Sequence, residues 1–246
     1  MNAIHFFSIF IKTSIIGIVL SCNKQPSTVD DSAGTVVAAP PVSIDTSIKH
    51  YLALGDSYTI GESVSKTDTY PIVAAAILAS QGINFAEPEV IARTGWTTGD
   101  LQSAISTTKF NYAFEIVTLL IGVNNQYRGS SLVTYRKEFE QNLKNAIVLA
   151  GGKPNHVVVL SIPDYGVTPF GQRDDAGRIA KEIDQFNKIN REVSDISKVI
   201  YLDITQDSKR ALEDHSMVAA DSLHFSGKMY RIWAEKLAGV MKSNLP

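Results

Sequence analysis

The sequence predicts a three-layer α/β/α domain built on a parallel sheet of about five strands. Two observations predict it. Short apolar runs without polar alternation recur along the chain, such as Tyr51-Leu52-Ala53-Leu54 and Val157–Ile162. A strand that is apolar on both sides is one covered on both faces. Longer stretches with apolar residues at helical spacing lie between these runs, and strands that alternate with helices build a parallel sheet. The chain has 246 residues, 44% of them hydrophobic, which supports one sizeable core and not two.

The elements follow in order. Tyr51–Leu54 is a buried strand ended by Gly55. Pro71–Ser80 is an apolar helix stopped by Gly82. Glu89–Ala92 is a second strand, and Thr98–Ser106 a helix capped by Thr97 or Thr98. Phe114–Ile121 is a third strand, ending at Gly122. Leu132–Ala150 carries Tyr135, Phe139, Leu143 and Ile147 at helical spacing and stops at Gly151-Gly152. Val157–Ile162 is the fourth strand. Arg178–Val193 is an amphipathic helix with Ile179, Ile183, Phe186, Ile189 and Asn190 on one side. Val199–Leu202 is the last strand. Gly227–Met241 closes the fold, with Met229, Ile232, Trp233, Leu237 and Val240 expected on its inner face.

The N-terminus differs in material. Residues 1–21 carry a short apolar core, Thr13–Leu20, behind Lys12, and read as a signal peptide rather than a spanning helix. The chain's only cysteine, Cys22, follows at once, and one cysteine forms no internal disulfide. Val19-Leu20-Ser21-Cys22 resembles a bacterial lipobox. That resemblance implies cleavage before Cys22, lipid attached to it, and an exported domain anchored at a membrane surface of the cell envelope, periplasmic or outward-facing. Residues 22–47, rich in Ser, Thr, Val, Ala, Pro and Asp, read as a flexible tether, and residues 48–246 as the globular body. The formal charge of -2, without runs of one sign, gives no nucleic-acid surface. Nothing in the sequence calls for an oligomer, so a monomer is expected.

In a parallel sheet the reactive groups gather at the carboxyl ends of the strands. The loop after the first strand is Gly55-Asp56-Ser57-Tyr58, which would project the Ser57 hydroxyl at the sheet edge. A helix beginning there would aim its first N–H groups at a developing negative charge. An ordinary helix cap explains the same residues. Gly95, after the second strand, lets a backbone N–H approach a ligand, and a plain turn explains it equally. Asn124, after the third strand, can donate an amide N–H into the same crevice, or simply make a turn. Near the C-terminus stands Asp221-Ser222-Leu223-His224. A hydroxyl needs an imidazole to take its proton, and an acid to hold that imidazole in the right tautomer. An Asp three residues before a His reaches the ring within one turn.

Together these elements resemble the SGNH hydrolases, or GDSL esterase/lipase family, from about Ile48 to the C-terminus. Gly55-Asp56-Ser57-Tyr58 matches the nucleophile block, with Tyr58 in place of Leu. Gly95 matches the glycine block, Gly122-x-Asn124 the asparagine block and Asp221-x-x-His224 the final block. The family often has Asp where this chain has Asn125. The resemblance implies the flavodoxin-like α/β/α fold of these enzymes. It implies Ser57 as nucleophile, His224 as general base and then acid, and Asp221 as its orienting partner. It also implies an oxyanion hole from the N–H groups of Ser57 and Gly95 and the Asn124 amide, with no cofactor. The expected activity is hydrolysis of small acyl esters, such as O-acetylated carbohydrate or short-chain lipid esters. An acyltransferase with the same triad, and a catalytically idle glycan-binding surface protein, are the alternatives. The loop Ile162–Gly171, with Tyr165, is expected to shape the pocket together with Tyr58 and Trp96, or merely to cover the sheet. Asp56, Asp164, Asp203 and Asp207 are read as caps and turns and not as metal ligands. The chain lacks the Lys of a P-loop and the G-x-G-x-x-G spacing of a nucleotide site.

Overall fold

The structure, a computed structural model, describes residues 49–245. The expected leader, Cys22 and the tether lie outside the described residues, as does Ile48.

Five strands form one parallel sheet: β1 (Tyr51–Gly55), β2 (Glu89–Ala92), β3 (Ile116–Leu120), β4 (Val157–Leu160) and β5 (Ile200–Leu202), in the order β2-β1-β3-β4-β5. The expected strands are all present, some shortened by one to three residues at their ends. Every residue of β1, β3 and β4 is buried, whereas the edge strands β2 and β5 are half-exposed. That burial is what continuous apolar runs require of central strands.

Helices cover both faces. Five of them run over α2 (Tyr70–Ala79), α3 (Thr98–Thr107), α5 (Leu132–Leu149), α6 (Ala176–Ser197) and α8 (Gly227–Asn244). Three short helices follow strands directly: α1 (Ser57–Ile60), α4 (Val123–Tyr127) and α7 (Thr205–Ser208). These three escape the sequence pattern because four or five residues carry no helical period. α2 packs on α8, and α5 packs between α3 and α6. On α8 the inner face is Met229, Tyr230, Trp233, Ala234, Leu237, Ala238 and Met241. Ile232 and Val240, expected there, lie only half-buried at its margin.

The chain winds outward from β1 in both directions, so the crevice lies at the carboxyl ends of β1 and β3. Gly55 ends β1 at a point of close approach. A Cβ there would lie 2.4 Å from the Leu120 carbonyl oxygen and 2.1 Å from Thr59 Oγ1. Only glycine lets the α1 turn fold back this tightly against β3.

Candidate active site

Asp56 caps α1: its Oδ1 accepts the Tyr58 N–H at 3.0 Å, while its carbonyl accepts from Thr59 and Ile60. Ser57 is therefore the first helical residue, and its N–H has no intrahelical acceptor. The cap reading and the nucleophile reading of this tetrapeptide describe one geometry, since Asp56 does the capping and Ser57 stands at the helix start.

Asp221 and His224 meet within one turn. His224 Nδ1 lies 2.6 Å from Asp221 Oδ2, in the range of a charge-assisted bond. Asp221 Oδ1 accepts the backbone N–H groups of Leu223 and His224, both at 2.9 Å, and Ser63 donates its hydroxyl to Oδ2 at 2.6 Å. Partial burial opposes the charge on Asp221, but these donors win and hold its carboxyl well below the usual carboxylate range. Tyr58 backs the imidazole, its ring 5.7 Å from that of His224 and edge-on to it. No hydrogen bond joins Ser57 Oγ to His224. Catalytic hydrogen bonds commonly tighten only when substrate is bound.

Asn124 Nδ2 donates to the Trp96 carbonyl at 2.9 Å, and Arg128 Nη2 donates to the Gly95 carbonyl at 2.7 Å. These two bonds bind the loop after β2 to the segment after β3. Gly95 has φ +84°, a left-handed conformation costly for a residue with Cβ. An amide nitrogen carries two hydrogens, so Asn124 retains a second donor.

Ser57, Tyr58, Asn124, Tyr165 and His224 line one cavity of about 190 Å³, with Val123, Tyr127, Phe170 and Leu223. Tyr165 and Phe170 come from the loop after β4. Asn187 of α6 pins the start of that loop by accepting the Ile162 N–H at 2.7 Å and donating to its carbonyl at 2.9 Å. Trp96 is elsewhere. Its indole lines a different cavity, against β2, with Val90, Ile91 and Phe110. The left-handed turn at Gly95 leaves the Trp96 carbonyl bonded to Asn124, and the indole packs on the core at the sheet edge. The expectation that Trp96 shapes the same pocket as Tyr58 and Tyr165 is therefore corrected.

A family model, the GDSL-like lipase/acylhydrolase family, matches residues 53–232, a span that contains Ser57, Gly95, Asn124, Asp221 and His224. The chain belongs to this family. Its class of activity is carboxylic ester hydrolysis. Solved structures of ester-hydrolysing enzymes share the fold. A lipase/acylhydrolase from Enterococcus faecalis superposes with a TM-score of 0.62 at 20% identity, covering 81% of this chain and 98% of that one. The esterase EstA from Pseudoalteromonas sp., solved with monoethylphosphonate as inhibitor, gives 0.61 at 14% identity, covering 79% and 97%. An acetyl xylan esterase from Geobacillus stearothermophilus gives 0.58 at 16%, covering 79% and 96%. No curated protein sequence matches the chain significantly.

Of the acids read as caps and turns, Asp164 accepts the Gly166 N–H and Asp203 the Thr205 N–H, whereas Asp207, inside α7, makes an ion pair with Lys236 at 2.5 Å. Hydrogen bonding to Thr98 explains Asn125, where the family often has Asp. Thr98 gives its hydroxyl proton to Glu138, so its oxygen must accept the next bond. Asn125 Nδ2 donates to that oxygen at 2.8 Å, while its Oδ1 takes the Thr98 N–H at 2.9 Å. A carboxylate at this buried position offers no donor.

Two predictions arise here. Burial pushes the Asp56 carboxyl up to about 7, against the opposing pull of the Tyr58 and Gly122 N–H groups. Between an unfolded value of about 4 and that raised value, the folded chain holds a proton the unfolded chain has lost. Stability therefore falls as pH rises through this window and is level above it. Asp56→Asn keeps the capping oxygen and removes the titration. Relative to the parent, its melting temperature should climb from pH 4 to 7. Parallel curves in thermal unfolding would overturn this assignment. Second, if Asn124 completes an oxyanion hole, Asn124→Ala should lower kcat by about 100- to 1000-fold with KM little changed. Steady-state kinetics on an activated ester measures this, and a loss confined to KM would assign Asn124 to substrate binding instead.

Sequence reading missed Ser63, Tyr127 and Leu223. Tyr127 ends the short helix α4 and Leu223 lies in a bend, and neither sits in a pattern that would mark it. Ser63 reaches Asp221 across 158 residues, a contact that no local signal reports.

Proposed function

We propose that this GDSL-type hydrolase removes small acyl groups from neutral esters through an acyl-enzyme at Ser57. The observation that carries this reading is His224, 2.6 Å from Asp221, lining one cavity with Ser57 and Asn124. Ser57 Oγ attacks the ester carbonyl as His224 Nε2 takes its proton. Asp221 accepts the Nδ1–H, which fixes the tautomer and stabilises the imidazolium. The tetrahedral oxyanion is held by the N–H groups of Ser57 and Gly95 and the second N–H of Asn124. His224 then returns the proton to the leaving alcohol. Water repeats the sequence on the acyl-enzyme and frees the carboxylic acid.

The size and lining of the cavity support a small, uncharged substrate. At about 190 Å³ it falls below the usual range for drug-sized ligands, and its described lining includes no Lys or Arg to bind an anion. Tyr127, Tyr165 and Phe170 offer apolar ring faces around it, suited to a sugar face or a short alkyl alcohol. The acetyl xylan esterase relative favours O-acetylated carbohydrate over short-chain lipid esters. Lipid on Cys22 would hold this activity at a membrane surface of the cell envelope, a placement supported by the sequence alone.

The test is a series of p-nitrophenyl esters of rising chain length. Acetate release from an acetylated polysaccharide is measured beside tributyrin hydrolysis. The reading expects kcat/KM to peak between acetate and butyrate and to fall steeply by octanoate. A maximum at long chains would overturn the small-acyl assignment, and preference for tributyrin would move the substrate class to short-chain lipid.

A further inference from the structure

We propose that Ser63 is a positioning residue of this site: its hydroxyl holds Asp221 and ties the segment bearing Ser57 to the loop bearing His224. The proposal rests on the reading of Asp221 and His224 as the acid–base pair. Ser63 Oγ donates to Asp221 Oδ2 at 2.6 Å, the same oxygen that faces His224 Nδ1 at 2.6 Å. Both are short bonds of the kind an ionised carboxylate accepts. With the two N–H bonds to Oδ1, they leave the carboxylate little freedom to rotate.

The position of Ser63 follows from the nucleophile turn. The N–H groups of Gly61 and Glu62 both donate to the Ser57 carbonyl at 3.0 Å, and Val64 closes back on Gly61 at 3.2 Å. Ser63 is thus fixed relative to Ser57 by the backbone alone. Among the described residues, its bond to Asp221 is the one hydrogen bond between residues 55–64 and residues 219–226. Since Ser57 and His224 are not themselves hydrogen-bonded, this tie and the Tyr58 ring set how the nucleophile and base approach.

The backbone points the same way. Three non-glycine residues in the described structure have positive φ: Ser63 at +64°, Ser222 at +66° and Lys198 at +57°. Lys198 is the left-handed cap of α6, a common use of that conformation. The other two meet at Asp221, one hydrogen-bonded to it and one following it in the chain. Such conformations persist where surrounding contacts over-determine them, often at functional sites. Ser63 is exposed, so packing does not explain its conformation. The Ser63 bond is also the foremost of those that draw the Asp221 carboxyl down against burial.

Three variants of the full chain test this. Ser63→Gly removes the hydroxyl and relieves the positive φ. Ser63→Ala removes the hydroxyl alone, and Ser63→Asn tolerates positive φ while restoring a donor. The expected result for Ser63→Gly is a kcat about tenfold lower on p-nitrophenyl acetate, from the loss of one bond to a charged group. KM and melting temperature should stay near the parent's. Ser63→Asn should recover part of the loss. In proton NMR, the downfield His224 Nδ1–H resonance, assigned by its absence in Asp221→Ala, should shift or broaden in Ser63→Gly. A merely structural Ser63 would move the melting temperature and leave that resonance in place. Full kcat in Ser63→Gly overturns the proposal. If the parent turns over no ester faster than Ser57→Ala, the hydrolase reading fails. The resonance then decides on Ser63 by itself: unmoved, it overturns the tie, and shifted, it supports it.

Discussion

Ser57→Ala is expected to lower kcat on p-nitrophenyl acetate by about 10⁴- to 10⁶-fold, with an unchanged melting temperature. The size of the effect follows from covalent catalysis. Without Oγ no acyl-enzyme forms, and what is left is the oxyanion site acting on direct attack by water. The fold should not notice. Ser57 contributes its backbone to the start of α1, and the Asp56 cap and the Gly61 and Glu62 bonds to the Ser57 carbonyl do not use the hydroxyl. Thermal unfolding beside steady-state kinetics separates the two effects. Substantial residual turnover with the melting temperature preserved would remove Ser57 from the mechanism and leave the GDSL family assignment intact.

Asp221→Asn is expected to cost about 10⁴-fold in kcat, nearly as much, by a different route. The shape is kept: the Asn Oδ1 still accepts the Leu223 and His224 N–H groups, so the loop should hold. The charge is lost, and the amide that replaces Oδ2 donates where the carboxylate accepted. That forces the His224 tautomer with its proton on Nε2, the wrong one to receive a proton from Ser57. It also sets an amide donor against the Ser63 hydroxyl, which donated to this oxygen in the parent. The carboxyl is held well below the usual carboxylate range. The parent should therefore lose no activity through Asp221 protonation as pH falls to 4, and the stability drawn from its ionised form is lost progressively as pH falls from the unfolded value of about 4 to that lowered value. A pH–rate profile checks this. An activity loss of less than tenfold in Asp221→Asn would show that His224 is oriented by something else.

What was legible in the sequence was local. Strands β1, β3 and β4 announce themselves because burial on both faces demands runs that are almost wholly apolar. α6 announces itself because 22 residues repeat the helical period several times over. Asp221-x-x-His224 could be paired in advance because one turn brings the two side chains together. Asn125 could be seen as a departure but not explained, since its reason is the proton that Thr98 sends to Glu138, two helices away.

By itself, then, the sequence determined the order of elements, the parallel α/β/α class and the blocks that belong to the GDSL family. Each of these depends on periodicity, turn residues or neighbours a few positions apart. The tertiary structure alone decided which residues share a cavity. It put Ser57 and His224 in one cavity, brought Ser63 to Asp221 and put Tyr127 and Phe170 around the pocket. It also sent the Trp96 indole to the outer edge at β2. Those outcomes depend on strand order and on how loops from distant parts of the chain pack against one another. Contacts between residues more than a hundred positions apart leave no mark in the local pattern of either segment.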